Sequence, residues 1–134
     1  MERTLVLIKP DGVERGLIGR IITVFENKGL RIADMKMCKP SKAEAEEHYK
    51  EHKGKFFFQE LIDYLTEDRI VAMILEGENA IELIRKVNGD KDPLKAEGAS
   101  IRGKYAIDRT RNLVHASENT ENVEREISIW FDCK

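Results

Sequence analysis

Cysteine is nearly absent: two residues in 134, Cys38 and Cys133, far apart and in no CxxC spacing. That excludes a disulfide scaffold and fits a reduced intracellular protein with one part-buried and one terminal thiol. No apolar run approaches the ~20 residues of a membrane span, and the N-terminus has no signal-peptide core, so no membrane partner is expected. With no address in the sequence, the cytoplasm is the expected compartment. Internal repeats and low-complexity tracts are missing too. So is a strong charge of either sign, with 23 Lys and Arg against 25 Asp and Glu. A formal net charge of -2 gives no whole-surface attraction to nucleic acid. The phosphate loop G-x-x-x-x-G-K-[ST] is also lacking, since Gly12 and Gly16 have the wrong spacing and no Lys follows. Nor is there a kinase-type glycine loop or catalytic-loop motif. If this chain binds phosphates, side chains must do it.

What is present suits one domain over residues 1–134, with 41% hydrophobic and 36% charged residues. Thr4-Leu5-Val6-Leu7-Ile8 is nearly continuous, as a strand buried on both faces would be. Lys9 precedes Pro10, which pushes it toward extended geometry and ends the strand. From Leu17, the residues Ile18, Ile21, Ile22 and Phe25 share a helical face, and Gly29 supplies the stop. Between Arg31 and Cys38 the period drops to two. Ala33, Met35 and Met37 alternate with Asp34 and Lys36, predicting a strand with one face on the core. After Pro40, Ser41 and Glu44 fit a capping box that opens a polar helix. Phe58, Leu61, Ile62 and Leu65 mark another helix, and Ile70 to Leu75 another strand. Asn79 and Glu82 can cap a helix whose Ile81, Ile84 and Val87 face inward. Ile127, Ile129 and Phe131 alternate with Ser128 and Trp130, giving a final strand. The order predicts an α+β chain. It is a ferredoxin-like βαββαβ antiparallel sheet with helices on one face, a helical insertion and a long basic loop. Such a fold hosts many chemistries, so function must be argued from the site.

Residues 88–112 lack periodicity and exceed the usual loop length, which marks them as functional or disordered. From Arg85 to Arg111 there are eight basic residues (Arg85, Lys86, Lys91, Lys95, Arg102, Lys104, Arg109, Arg111) against four acidic ones. Clustered guanidinium suits phosphate, because its planar donor fork keeps its charge. A solvated basic loop is the plainer reading of the same residues. His48 and His52, four apart on a helix, would need Glu directly after the first His to match a zinc protease, and Tyr49 stands there instead. With no third ligand apparent, they read as a solvated polar face. His115 differs, because it adjoins the basic loop and precedes Ser117. A lone histidine is more often structural, but in this setting it is a candidate nucleophile.

At this point the residues resemble a known family. Asn112-Leu113-Val114-His115-Ala116-Ser117 is similar to the active-site signature of nucleoside diphosphate kinases. Ile8-Lys9-Pro10-Asp11-Gly12, His48-Tyr49, Phe57 with Leu61, Ser100-Ile101-Arg102 and Glu126-Ile127-Ser128-Ile129-Trp130-Phe131 resemble other segments of that family, in order, over essentially the whole chain. The resemblance implies ping-pong transfer of a γ-phosphoryl group from a nucleoside triphosphate, typically ATP, to a nucleoside diphosphate through a phosphohistidine at His115. It implies that Glu126, directly or through Ser117, orients the ring. Lys9, Tyr49, Arg85, Arg102 and Asn112 would hold phosphates and sugar, with Phe57 stacking on the base and Leu61 behind it. Mg2+ would arrive with the nucleotide rather than in a protein cage. The family also implies a homo-oligomer, tetramer or hexamer. The alternatives are a catalytically inactive nucleotide-binding regulatory module and a nucleic-acid-binding module built on the basic loop. An intact His115 counts against the first, and the net acidity against the second.

Four positions depart from the family pattern. Glu118 and Asn119 stand where an Asp and a small residue are more usual, and Phe56 where Pro is usual. Lys91 stands where the family usually offers a Thr to phosphate, and that contact is not carried over. The chain stops at Lys134, shortly after the last predicted strand, which leaves the choice between tetramer and hexamer open.

Overall fold

β1 (Glu2–Ile8) lies inside a four-stranded antiparallel sheet, between β3 (Ile70–Gly77) and the short β4 (Val114–Ala116); β2 (Arg31–Cys38) forms the far edge beyond β3. This computed structural model describes residues 1–131. The expectation of a terminal thiol at Cys133 falls outside the described residues, while Cys38 is free and half-buried. Between the strands run α1 (Pro10–Glu14), α2 (Ile18–Asn27), α3 (Lys42–His48), a 3-10 turn (Lys50–His52), α4 (Phe58–Leu65), α5 (Ala80–Asn88) and α6 (Ile101–Tyr105). α7 (Thr120–Trp130) follows β4. Among the described residues, no helix is long and apolar enough to cross a membrane.

The unbroken apolar run in β1 has the cause that its pattern predicts: the sheet is covered on both sides. Val6 and Ile8, with Val71, Met73 and Leu75, pack under Ile21 and Phe25 of α2 and Ile84 of α5. These are the two helices of the ferredoxin-like plan. Leu5 and Leu7, with Ala72 and Ile74, face the other way. They meet Ala45 of α3, Ile62 and Leu65 of α4, and Val123, Ile127 and Trp130 of α7. The helical insertion and the last helix therefore cover the second face. Each fully buried side chain of this size contributes roughly 1.5–3 kcal/mol.

Several sequence expectations are corrected. The final strand over Ile127 to Phe131 is instead the end of α7. Its buried positions Val123, Glu126, Ile127 and Trp130 recur at helical spacing, and Asn119 caps its start by accepting from the Asn122 N–H at 2.9 Å. The fourth strand is β4, which contains His115. The long loop is broken by α6, capped by Ser100, whose hydroxyl accepts from the Gly103 N–H at 3.0 Å. Ser41 and Glu44 do form a capping box. Asn79 does not cap α5: its side chain makes no such bond, and the Glu2 carboxylate accepts from the Ile81 N–H at 3.2 Å instead. Nor is the inner face of β2 on the core. A bulge between Ile32 and Asp34 takes Ala33 out of register. Met35 and Met37 pair opposite Met73 and Val71 at the sheet edge but stay 48% and 46% exposed.

Candidate active site

Three segments far apart in sequence converge where β1 ends. Lys9 leaves the strand in extended geometry, and its backbone N–H donates to the Leu113 carbonyl at 2.7 Å. Its ammonium donates to Asn112 Oδ1 at 3.0 Å. Leu113 sits in the left-handed region at φ 78°, a rare conformation for a bulky residue. Such a conformation persists only where the surroundings over-determine it. Here they do. The buried guanidinium of Arg102 donates to the carbonyls on both sides of Leu113, Asn112 at 3.3 Å and Val114 at 2.7 Å, and to that of Gly89 at 2.7 Å. β4 then pairs with β1 so that His115 stands opposite Leu7. Its side chain shares the Leu7 face, the side covered by α3 and α7.

α7 supplies the partner. Its helical period turns Glu126 inward beside Trp130 and Ile127, and Glu126 Oε1 accepts from His115 Nε2 at 2.9 Å and from Ser117 Oγ at 2.7 Å. Arg125 lies 3.8 Å from the other oxygen. Burial alone pushes the Glu126 carboxyl up, but His115, Ser117 and Arg125 outweigh it and hold it below its ordinary value. An ionised carboxylate can only accept, so Nε2 carries a proton, and in the neutral ring Nδ1 keeps the lone pair. The His115 side chain retains 19% exposure and Glu126 only 5%, so the imidazole meets solvent while its anchor does not.

That ring opens on a cavity of about 850 Å³, within the usual range for a small-molecule site. Lys9, Tyr49, Phe57, Leu61, Arg85, Arg102, Asn112, His115 and Glu126 line it, and Ser117 sits fully buried behind Glu126. The lining is chemically mixed. Its cations include Lys9, Arg85, Lys91, Arg102 and Arg109. Burial, then the nearby charges of Arg102 and Lys91, lower the Lys9 pKa to about 7. Burial also lowers that of Arg102, to about 10, so it stays charged at neutral pH. Of a guanidinium's five N–H groups, Arg102 uses three on backbone carbonyls and keeps two for a ligand. Aromatic rings also line it. Phe57 lies 5.3 Å from the His52 ring and 5.4 Å from Phe56, which is 98% exposed. Lys91 and Glu118, two of the unusual positions, face each other at 3.9 Å as an exposed ion pair.

Sequence reasoning missed or misplaced several residues here. His48 is not on a solvated face: it is 2% exposed, with its ring 4.4 Å from that of His115. Its signal was the spacing of Ala45, His48 and Tyr49, which shares the inward side of α3. The Asn88 side chain is buried against the cavity with no partner on either polar atom. Behind Lys9, the Tyr64 hydroxyl bonds Asp11, and Arg111 lies 4.8 Å over the Tyr64 ring while pairing with Glu67. No local pattern marks those contacts. For a metal, His48, His115 and Glu126 offer ligand atoms within 4.8 Å of one another. However, Glu126 Oε1 is already taken by two donors, and a nitrogen-rich set is unlike the oxygen ligands that Mg2+ selects.

Comparison with known proteins agrees over the full length. The family described as nucleoside diphosphate kinase matches residues 2–134. A nucleoside diphosphate kinase of Saccharolobus islandicus is 49% identical over 132 residues, covering 98% of this chain and 96% of the relative. One of Ignicoccus hospitalis is 53% identical over 131 residues, covering 98% and 89%. Among solved structures, a nucleoside diphosphate kinase of Halobacterium salinarum in complex with CDP is similar, with a TM-score of 0.95 and 43% identity. The match covers 98% of this chain and 88% of that one. That of Encephalitozoon cuniculi has a TM-score of 0.96 at 38% identity, covering 98% and 89%.

The Lys9 environment gives a direct test. Its amine is expected to lose its proton around pH 7, followed at the Cε resonance in a lysine-labelled sample. Between that value and about 10.4 the unfolded chain binds the extra proton, so this residue's contribution to stability rises with pH. A midpoint near 10.4, the ordinary lysine value of about that size, contradicts the described burial.

Proposed function

Because the chain belongs to the nucleoside diphosphate kinase family, we propose that it carries a γ-phosphoryl group from a nucleoside triphosphate to a nucleoside diphosphate on His115. The observation that carries this reading is the hydrogen bond from His115 Nε2 to Glu126, which in the neutral ring reserves the Nδ1 lone pair for the reaction. In the first half-reaction, the Nδ1 lone pair attacks the γ-phosphorus. A P–N bond forms, the bond to the β,γ-bridging oxygen breaks, and the diphosphate leaves with that electron pair. In the second, a terminal oxygen of an acceptor diphosphate attacks the same phosphorus and the P–N bond breaks. Each half is the mirror of the other, and covalent catalysis splits one hard transfer into two. No base is needed for the attack. Ser117 and Glu126 hold the ring at the atom that does not react, and Glu126 stabilises the positive charge that grows on it.

The remaining residues bind and position. Lys9, Arg85 and the two spare N–H groups of Arg102 face the phosphates, where charge and placement supply most of the catalysis of phosphoryl transfer. Asn112 holds Lys9 and is offered to the sugar or phosphates, with Tyr49 beside them. Phe57 stacks on the base and Leu61 backs it, a contact that tolerates any base. The CDP-bound Halobacterium salinarum relative supports a nucleotide in this cavity. Mg2+ would be held by the nucleotide's phosphates and water, with the cavity carboxylates Asp90 and Glu118 available to it, and would neutralise phosphate charge. No observation favours an inactive module. We infer the cytoplasm as the compartment from the substrate class.

A homo-oligomer, tetramer or hexamer, is part of the reading. The half-exposed Met35 and Met37 on the open edge of β2 support it, since unpaired edges with apolar side chains invite pairing. Light scattering on the purified protein is expected to give a mass several times 15.4 kDa; a monomer contradicts this. For the activity, incubation with γ-labelled ATP is expected to put acid-labile, base-stable phosphate on the protein, and adding a diphosphate to remove it. The His115→Ala variant is expected to take up none. Equal labelling and transfer by that variant overturns the assignment.

A further inference from the structure

His48 lies beside the reacting histidine but has no role in the mechanism above. It ends α3, is 2% exposed, and presents its ring to that of His115 edge-to-face at 4.4 Å and 75°. Its protonation is fixed from behind. The indole N–H of Trp130 lies 3.2 Å from His48 Nδ1, and an indole nitrogen can only donate. Nδ1 must therefore be the acceptor, and a neutral His48 carries its proton on Nε2. Burial, with the nearby charges of His115 and Lys9, lowers its pKa well below the ordinary value, so the ring is neutral. That Nε2–H is buried and has no partner. It also cannot ligate a metal in this form, which removes His48 from the three-residue cluster around Glu126.

A buried donor without an acceptor is unfavourable, and the nearby Glu126 Oε1 already accepts from His115 and Ser117. A phosphoryl group on His115 brings three acceptor oxygens to this wall of the cavity. We propose that Trp130 locks His48 as an Nε2–H donor, and that this donor bonds the phosphoryl group as it reaches His115 and while it stays there. The proposal rests on His115 being the phosphorylated residue. Its consequence is specific. An interaction absent from the free enzyme and present in the phosphoenzyme favours the phosphoenzyme in the equilibrium with ATP and ADP. Tyr49, whose buried hydroxyl also lacks a partner, is the second donor on the same side.

The test measures the fraction of phosphorylated chain by intact mass at a fixed ATP:ADP ratio with Mg2+. Replacing His48 by Leu keeps a buried side chain at this position but removes the donor. The ratio of phosphorylated to free enzyme is expected to fall about tenfold, and His48→Gln, which restores an N–H, to recover part of it. A folded His48→Leu protein with the wild-type ratio, even with a lowered melting temperature, overturns the proposal and leaves His48 a packing residue. Nitrogen-15 histidine shifts in the wild-type protein decide independently of whether the variants fold. An Nε2–H tautomer is expected before and after phosphorylation, with the proton moving downfield on phosphorylation. An Nδ1–H tautomer in the phosphoenzyme overturns the proposal. Wild-type protein that takes no phosphate on His115 instead overturns the reading on which this one rests.

Discussion

One carboxylate oxygen, Oε1 of Glu126, accepts hydrogen bonds from both His115 and Ser117, and the chemistry proposed for the cavity depends on it. Holding an ionised carboxylate at 5% exposure costs several kcal/mol by itself. Hydrogen bonds to a charged group return roughly 1.5–3 kcal/mol each. Two such bonds, with Arg125 nearby, are enough to keep Glu126 charged, and its lowered pKa expresses that balance. A neutral Glu126 would no longer dictate which nitrogen of His115 carries the proton. In the proposed reaction, Glu126 therefore acts through the tautomer of its neighbour.

A second constraint places the histidine. Leu113 is held left-handed between two carbonyls that share the guanidinium of Arg102, and its own carbonyl takes the Lys9 N–H. The same two cations face the cavity that would receive the phosphates. Arg102 is thus both the brace for the strained turn and a source of two free N–H groups. A substitution at Arg102 would disturb the entry into β4 as well as the charge of the cavity, so its effects on binding and on folding are coupled.

The parts of this architecture that repeat with a period could be read from the residues. The solid run of β1, the face of α2 through Ile21 and Phe25, and the Ser41–Glu44 capping box are local signals, and each appears where its pattern puts it. Residues 127–131, at the end of α7, mimic a strand because five positions alternate by chance. Only the longer window back to Asn119 shows the spacing of Val123, Glu126, Ile127 and Trp130. In β2, a bulge at Ala33 and a position at the sheet edge leave Met35 and Met37 uncovered, and neither is written in the alternation. In the site, the family-like segments led to Lys9, Arg102, Asn112, His115 and Glu126, which the fold gathers around one cavity. His48 and Trp130 could not be joined from sequence, since 82 residues separate them and only the packing of α3 against α7 brings them together.

All of this converges on a single atom, Nδ1 of His115. Phosphorus-31 and nitrogen-15 correlation spectra of the freshly phosphorylated, histidine-labelled protein identify the bonded nitrogen directly. The account predicts phosphorus coupled to His115 Nδ1, with Nε2 still protonated against Glu126. Phosphorus coupled to Nε2, or carried by any other residue, would contradict it.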